Sequence, residues 1–148
     1  MEPLEQILQE ITAFETQLSR RSFLGAALLV AIAPKLSLGT DDQRFIDAVA
    51  ATLLPATALQ STGINVGENV EYLLRTGSAD HRQKVTRFLS WSQRASILYG
   101  GGRVALNARG SRFMLVRKMG RTLSSLCLIA FWADERALKL IANPEAKA

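Results

Sequence analysis

Apolar residues recur at helical spacing along the chain, with charged and polar residues between them. Near the N-terminus every third or fourth position from Leu4 to Leu18 is apolar, and glutamates and glutamines mostly occupy the other face. This period is that of an amphipathic α-helix with one buried face. The pattern therefore predicts a helix over residues 3–18.

The same spacing predicts the helices that follow. Asp41 and Asp42 suit the N-terminus of a helix. The apolar stripe behind them ends at Pro55, because the residue before a proline avoids the α-helical conformation. The segment "ATALQSTGINVG" is rich in small and turn-forming residues and is predicted to be a loop. Further helices are expected over residues 66–77, 79–99, 111–118 and 120–141.

The sequence also predicts which residues of the helix over 79–99 face the core and how glycines 100–102 behave. In the helix over 79–99 the residues predicted to face inward are Val85, Phe88, Leu89, Ile97 and Leu98. Glycines 100–102 lack the Lys-Ser/Thr of a phosphate-binding loop and are predicted to form a flexible connection. Because no period-two alternation occurs in the sequence, the fold class is expected to be all-α, a small bundle of five or six helices after the amphipathic one.

A sequence typical of an export address follows the first predicted helix. Ser19, Arg20, Arg21, Phe23 and Leu24 stand in the order Ser-Arg-Arg-x-Phe-Leu, ahead of an uncharged, mostly apolar run. This order resembles the twin-arginine (Tat) signal by which bacteria export folded proteins. Acidic receptor groups can bind paired guanidinium groups, and a short apolar segment enters the bilayer as a hairpin. Residues 1–39 are therefore predicted to be a Tat signal or a retained membrane anchor, and residues 40–148 a single helical domain.

The sequence leaves open whether this signal is cleaved. Residues 31–33 have the small-x-small pattern of a cleavage site, but Pro34 follows and should block the peptidase. Residues 37–39 form a second, weaker candidate. The run over 23–33 is shorter than the roughly 20 residues that cross a bilayer, so a retained anchor would extend to Thr40 with Lys35 at the interface. The helix over 3–18 is either a structural element or a leader segment without a role.

The net charge and the numbers of cysteine and histidine residues limit the kinds of partner and metal site that are expected. Net charge is +5, and residues 40–148 hold 15 basic and nine acidic residues. That balance suits an acidic partner, an anionic membrane surface or a solvated face. The single cysteine, Cys127, lies in an apolar run and is expected to be a core residue. The single histidine, His81, has no second histidine and no nearby cysteine with which to share a metal ion, so metal binding is not expected.

Three short stretches between residues 54 and 134 occur in an order that can be compared with known family motifs. They are Leu54-Pro55, then Gly63-Ile64-Asn65-Val66 followed by Tyr72-Leu73-Leu74, and finally Phe131-Trp132-Ala133-Asp134. The set resembles the motifs of the gluconate 2-dehydrogenase subunit 3 family over residues 41–142. The chain lacks the Gly-Tyr-x-Gly-Pro-like segment with which the family's pattern closes.

The resemblance implies a role in a membrane-associated dehydrogenase. In that family the small subunit supplies the Tat signal and a docking surface, a large subunit holds FAD, and a cytochrome c subunit with haem c passes electrons to the respiratory chain. It implies that this chain is a non-catalytic accessory subunit, periplasmic and membrane-associated, with no cofactor of its own. The partners implied are the large FAD-containing subunit, the cytochrome c subunit and the Tat translocase.

The residues themselves also argue against catalysis. Acidic groups are few and scattered, and no flavin or nicotinamide fingerprint occurs, so the chain is not expected to be an enzyme. Candidate partner contacts are Trp91, Tyr99, Phe131 and Trp132, because aromatic side chains dominate binding hot spots. Core packing is the other role open to each of them.

Two further classes of protein stay open. The chain is alternatively an uncleaved, membrane-anchored structural subunit of another complex, or a free periplasmic binding protein. Nucleic-acid binding is not expected, because the basic residues are dispersed and an export signal would remove the chain from DNA.

Overall fold

The computed structural model describes residues 3–21 and 38–142, and over these residues the fold is all-α, as predicted. The α-helices there are α1 (Pro3–Arg21), α2 (Thr40–Leu53), α3 (Ala56–Thr62), α4 (Val66–Arg75), α5 (Ala79–Ser96), α6 (Val104–Arg109), α7 (Met114–Trp132) and α8 (Glu135–Ala142), with a 3-10 helix at Gly101–Arg103. Seven α-helices therefore follow α1 in the described part of the chain, where five or six were expected.

Helix α7 lies at the centre of the fold, with α1, α2, α4 and α6 packed against it. Its residues Met119, Leu123, Cys127 and Phe131 are fully buried. Burial raises the pKa of the Cys127 thiol to about 12, so the thiol stays protonated at neutral pH and is not a nucleophile. The prediction that Cys127 is a core residue is confirmed.

Helix α1 is the amphipathic helix that the apolar pattern predicts. Ile7, Ile11 and Phe14 are at most 1% exposed and pack against α5 and α7. The Phe14 ring makes edge-to-face contacts with Phe88 and Trp91, at centroid distances of 5.8 and 5.1 Å. The helix that precedes the twin-arginine motif is thus part of one hydrophobic core with the body of the chain.

The chain is held in place again at residue 38. Leu38 is buried, and its N–H donates to Glu71 Oε2 at 2.7 Å. The N–H of Gly39 donates to Asp42 Oδ2 at 3.0 Å, which places this carboxylate in the first turn of α2 as the acidic pair predicts. Residues on both sides of segment 22–37 are therefore packed on the body.

The apolar segment predicted as a signal or anchor falls in residues 22–37, which lie outside the described residues. Among the helices of residues 3–21 and 38–142, none combines the length and the apolar character needed to cross a membrane.

The predicted break before Gly120 is wrong, because α7 is one continuous helix from Met114 to Trp132. A Cβ on Gly120 would lie 2.9 Å from both the carbonyl oxygen of Ala105 and the Cβ of Ala108. Glycine at this position therefore lets α6 approach α7 closely instead of interrupting the helix.

The C-terminal apolar segment breaks later than the sequence pattern predicts. Helix α7 ends at Trp132 and α8 begins at Glu135. Asp134 Oδ1 accepts the backbone N–H of Arg136 at 2.9 Å, which is how an acidic residue satisfies a free donor at a helix start. The single helix expected over 120–141 is thus two helices joined at Asp134.

Two short α-helices, α3 and α6, and the 3-10 helix lie where no helix was predicted. Helix α3 occupies residues 56–62 of the expected loop, and its half-buried Leu59 packs on the core. Glycines 100–102 lead through the 3-10 helix into α6 and pack against α2, so they form an ordered turn and not the expected flexible connection. Tertiary contacts stabilise these short elements, whose local sequences are weak helix signals.

Helix α5 confirms most of the inward residues predicted for it. Val85, Phe88 and Leu89 are at most 1% exposed, but Ile97 and Leu98 are 84% and 83% exposed. The prediction for these two residues is wrong because α5 ends at Ser96. Helical spacing does not continue beyond that residue, so the apolar stripe cannot be extended to them.

Candidate functional site

Large apolar side chains are exposed on α4, at the end of α7 and on α8. They are Tyr72, Trp132, Leu138 and Ile141, between 41% and 66% exposed, and we call this set the junction surface. Tyr72 lines a small cavity of about 260 Å³ together with Ala133 and Asp134, which brings it to the same end of α7 as Trp132. Exposed apolar residues that adjoin one another mark interaction sites.

The buried residues of α8 determine which of its residues face outwards. Ala137 and Leu140 are buried in the core, one helical turn apart. Leu138 and Ile141 are also three residues apart and share the exposed face. At 3.6 residues per turn these four residues form one broad apolar face, of which the described chain covers only the side of Ala137 and Leu140.

A polar network fixes the junction beneath this surface. The Asn69 side chain donates to Asp134 Oδ2 at 3.0 Å and to the Ala130 carbonyl at 3.1 Å. Arg136 donates to both Asp134 oxygens, at 2.9 and 3.1 Å, and to the Gly63 carbonyl at 3.2 Å. One carboxylate thereby connects α4, the end of α7 and the start of α8.

Electrostatics keep Asp134 charged. Hydrogen bonding from the Arg136 side chain is the main cause that holds the pKa of this carboxyl well below its usual range, and hydrogen bonds from Asn69 and the Arg136 N–H add to it. The pKa of Arg136 is raised by the same pair. The network therefore keeps its charges across the physiological pH range and has a structural role, with no proton to give or take.

The structure separates the four aromatic residues predicted as partner contacts. Trp132 is 41% exposed and belongs to the junction surface, whereas Phe131 is fully buried and packs edge-to-face on it at a centroid distance of 5.1 Å. Trp91 and Tyr99 are half-buried against the core. Trp132 is the most exposed of the four aromatic residues.

The sequence pattern does not predict Tyr72, Leu138 and Ile141 as surface residues. The orientation of Tyr72 depends on Val70 and Leu74, which face the core on either side of it. The two α8 residues were assigned to one long helix, so the break at Asp134 was needed to find them.

The export motif is described in part. The backbone of Ser19, Arg20 and Arg21 forms the last turn of α1, while Phe23 and Leu24 lie outside the described residues. One turn earlier, Gln17 Oε1 accepts a hydrogen bond from Lys118 Nζ at 2.9 Å. The end of α1 is thus held against α7 immediately before the twin arginines.

Within residues 4–17 and 38–141, no three His, Cys, Asp or Glu side chains are grouped so that they could hold a metal ion. His81 is half-buried and lines a shallow cavity with Glu5 and Lys84.

No protein-family model, curated protein or solved structure matches this chain. The relation to the gluconate 2-dehydrogenase subunit 3 family stays a prediction that rests on the motifs of the sequence.

Proposed function

We propose that this chain is a non-catalytic accessory subunit of a membrane-associated, FAD-dependent dehydrogenase. It carries the Tat signal for the complex and docks the flavin-bearing large subunit on the periplasmic side, with a cytochrome c subunit as electron acceptor. The observation that carries the proposal is that the twin-arginine motif ends a helix packed into the body. The signal is therefore attached to a folded domain, which suits a route that exports folded, cofactor-loaded proteins.

The junction surface supports the docking role. Trp132 packs edge-to-face on the fully buried Phe131, and Tyr72 lines the same small cavity as Asp134. Rigid, exposed aromatic and aliphatic residues on a fixed support are the usual anchors of a protein interface. The proposed occupant is the large flavoprotein, since the stretches that resemble the gluconate 2-dehydrogenase subunit 3 family include Tyr72 and end with Phe131-Trp132-Ala133-Asp134.

Packing at residues 38 and 39 supports retention of the leader. A peptidase needs an accessible, extended segment, whereas Leu38 is buried and the N–H groups of Leu38 and Gly39 are both hydrogen-bonded within the fold. The other candidate site is followed by Pro34. Retention is compatible with the accessory subunit, and it also favours the second candidate function, a membrane-anchored structural subunit of a different complex.

Copurification from native membranes tests the proposal. The chain, tagged at its C-terminus, is expected to bring down a flavoprotein whose FAD is seen by absorbance. Replacing Tyr72 and Trp132 by alanine should reduce the flavin recovered by about tenfold or more, because hot-spot residues contribute upwards of 2 kcal/mol. Replacing Ile97 and Leu98, which are more exposed than Tyr72 and Trp132, by alanine is the control and should leave the recovery unchanged.

The outcomes separate the two candidate functions. A flavoprotein lost only from the Tyr72/Trp132 variant supports the dehydrogenase subunit. A flavin-free set of membrane proteins, recovered with an intact N-terminus, would favour the anchored structural subunit and overturn the dehydrogenase proposal.

A further inference from the structure

A cleft of about 540 Å³ lies between α1, α6 and α7. None of its lining residues belongs to the junction surface. Its basic side chains are Arg109, Lys118 and Arg121, and hydroxyl groups of α7 also line it. It includes one carboxylate, Glu10, whose Oε2 accepts a hydrogen bond from Thr122 Oγ1 at 3.2 Å. The lining thus carries three positive charges and one negative charge.

Among the described side chains the three cations have no ion-pair partner within 4 Å. Lys118 donates to the uncharged Gln17 side chain, and Arg109 and Arg121 are exposed. Guanidinium groups bind phosphate oxygens in bidentate geometry, and ammonium groups act as point charges for the same anion.

The positive charge lies at one end of the cleft. Lys118 and Arg121 lie towards the start of α7, and Leu128 lines the cleft about 15 Å further along the axis from Lys118, at 1.5 Å per residue. Gln17 of α1 contacts Lys118 and Glu10 contacts Thr122, so Ala13 lies beside the basic residues. Hydroxyl groups of Ser124 and Ser125 line the cleft between them and Leu128.

We propose that this cleft binds a phosphate-bearing anion, with Arg109, Lys118 and Arg121 holding the phosphate group. The hydrogen bond from Lys118 to Gln17 places the basic end beside the last turns of α1.

This site belongs to the chain itself and does not depend on a dehydrogenase partner. Its failure would leave the proposed function untouched, and loss of the flavoprotein partner would leave the site untouched.

Calorimetric titration of the full chain in neutral detergent tests the site. One arm uses a short-chain phosphatidylglycerol and the other uses glycerol phosphate, which shares the phosphate but has no tail. The cleft variant replaces Arg109, Lys118 and Arg121 by glutamine. The matched control replaces Arg44, Arg94 and Lys139, exposed residues of α2, α5 and α8, and loses the same charge.

Affinity is expected to fall of the order of a hundredfold in the cleft variant, at about fivefold per basic residue near an anionic headgroup, and to change little in the control. The single substitution Arg121→Gln, at an exposed position, should show the fivefold loss without affecting folding. Binding of the lipid alone identifies an amphiphile as ligand, and binding of both probes identifies the phosphate group as sufficient. No binding of either probe, or equal losses in the cleft and control variants, would overturn the site.

Discussion

At the scale of single residues, Asp134 is the acidic group that connects α4, α7 and α8. It directly precedes α8, accepts two hydrogen bonds from the Arg136 side chain and one from Asn69, and is nearly buried. Its lowered pKa means that the folded state holds the charged carboxylate more favourably than the unfolded chain does.

The substitution Asp134→Asn should destabilise the protein by about 1 kcal/mol at pH 7, since it removes charge-assisted hydrogen bonds to a half-exposed arginine. Stability contributed by a carboxyl of lowered pKa is present above the unfolded value, near 3.9, and is lost as pH falls through the folded value. Urea unfolding of both proteins should therefore show a gap at pH 7 that narrows at pH 3. A gap that is unchanged at pH 3 would contradict this account of Asp134.

Gly120 is the second residue whose role is specific. The substitution Gly120→Ala places a methyl group 2.9 Å from atoms of α6, and such overpacking costs about 1–3 kcal/mol. Better helix propensity returns about 1 kcal/mol, so a net loss of about 1 kcal/mol is expected in urea unfolding. The control is Gly110→Ala, where the nearest atom would be 3.7 Å away, and it should unfold like the wild type.

At the scale of elements, α1 is the helix whose packing has most consequence for function. Removal of residues 1–39 would uncover the surfaces of α5 and α7 that now bury Ile7, Ile11 and Phe14. An exposed apolar groove of that kind is unfavourable in water. The packing therefore favours a chain that keeps its first helix.

The substitution Phe14→Ala tests the contribution of α1 to the core. A buried phenylalanine replaced by alanine usually costs about 3–5 kcal/mol, and amide hydrogen exchange in α1 should rise before exchange in α7 does. Gln9→Ala, on the exposed face of α1, is the control and should have no effect. A loss below about 1 kcal/mol for Phe14→Ala would mean that α1 is not part of the core.

Elements with an unambiguous apolar stripe could be predicted from the sequence. The stripes of α1, α2, α4 and most of α5 place their buried residues correctly, because one face of each is apolar over several turns. Helix α3 and the continuity of α7 through Gly120 could not be predicted. Their stability comes from neighbours distant in sequence, which a local pattern does not contain.

The candidate surface was predictable to the same limited extent. Trp132 could be chosen from its chemistry, but the sequence does not show that its neighbour Phe131 is buried. Leu138 and Ile141 lie on a separate helix that begins after Asp134, and the pattern did not predict this break. Sequence patterns identify apolar residues, and the packing decides which of them remain accessible.

At the scale of the whole molecule, the export motif, the packed first helix and the junction surface together give the account of function. The substitutions Arg20→Lys and Arg21→Lys, made together, keep the charge but remove both planar guanidinium groups. The amount of chain reaching the periplasm should fall about tenfold or more, as measured by fractionation. The pair Arg44→Lys and Arg94→Lys is the control, and export that is equal in both variants would contradict a Tat role.

The most direct test of the account is the native mass of the complex that the C-terminally tagged chain forms in its own membranes. We expect one assembly that contains an FAD-bearing large subunit and this chain with α1 still attached. A chain that begins near residue 34 or 40, isolated without any flavoprotein, would contradict both the retained helix and the accessory-subunit role.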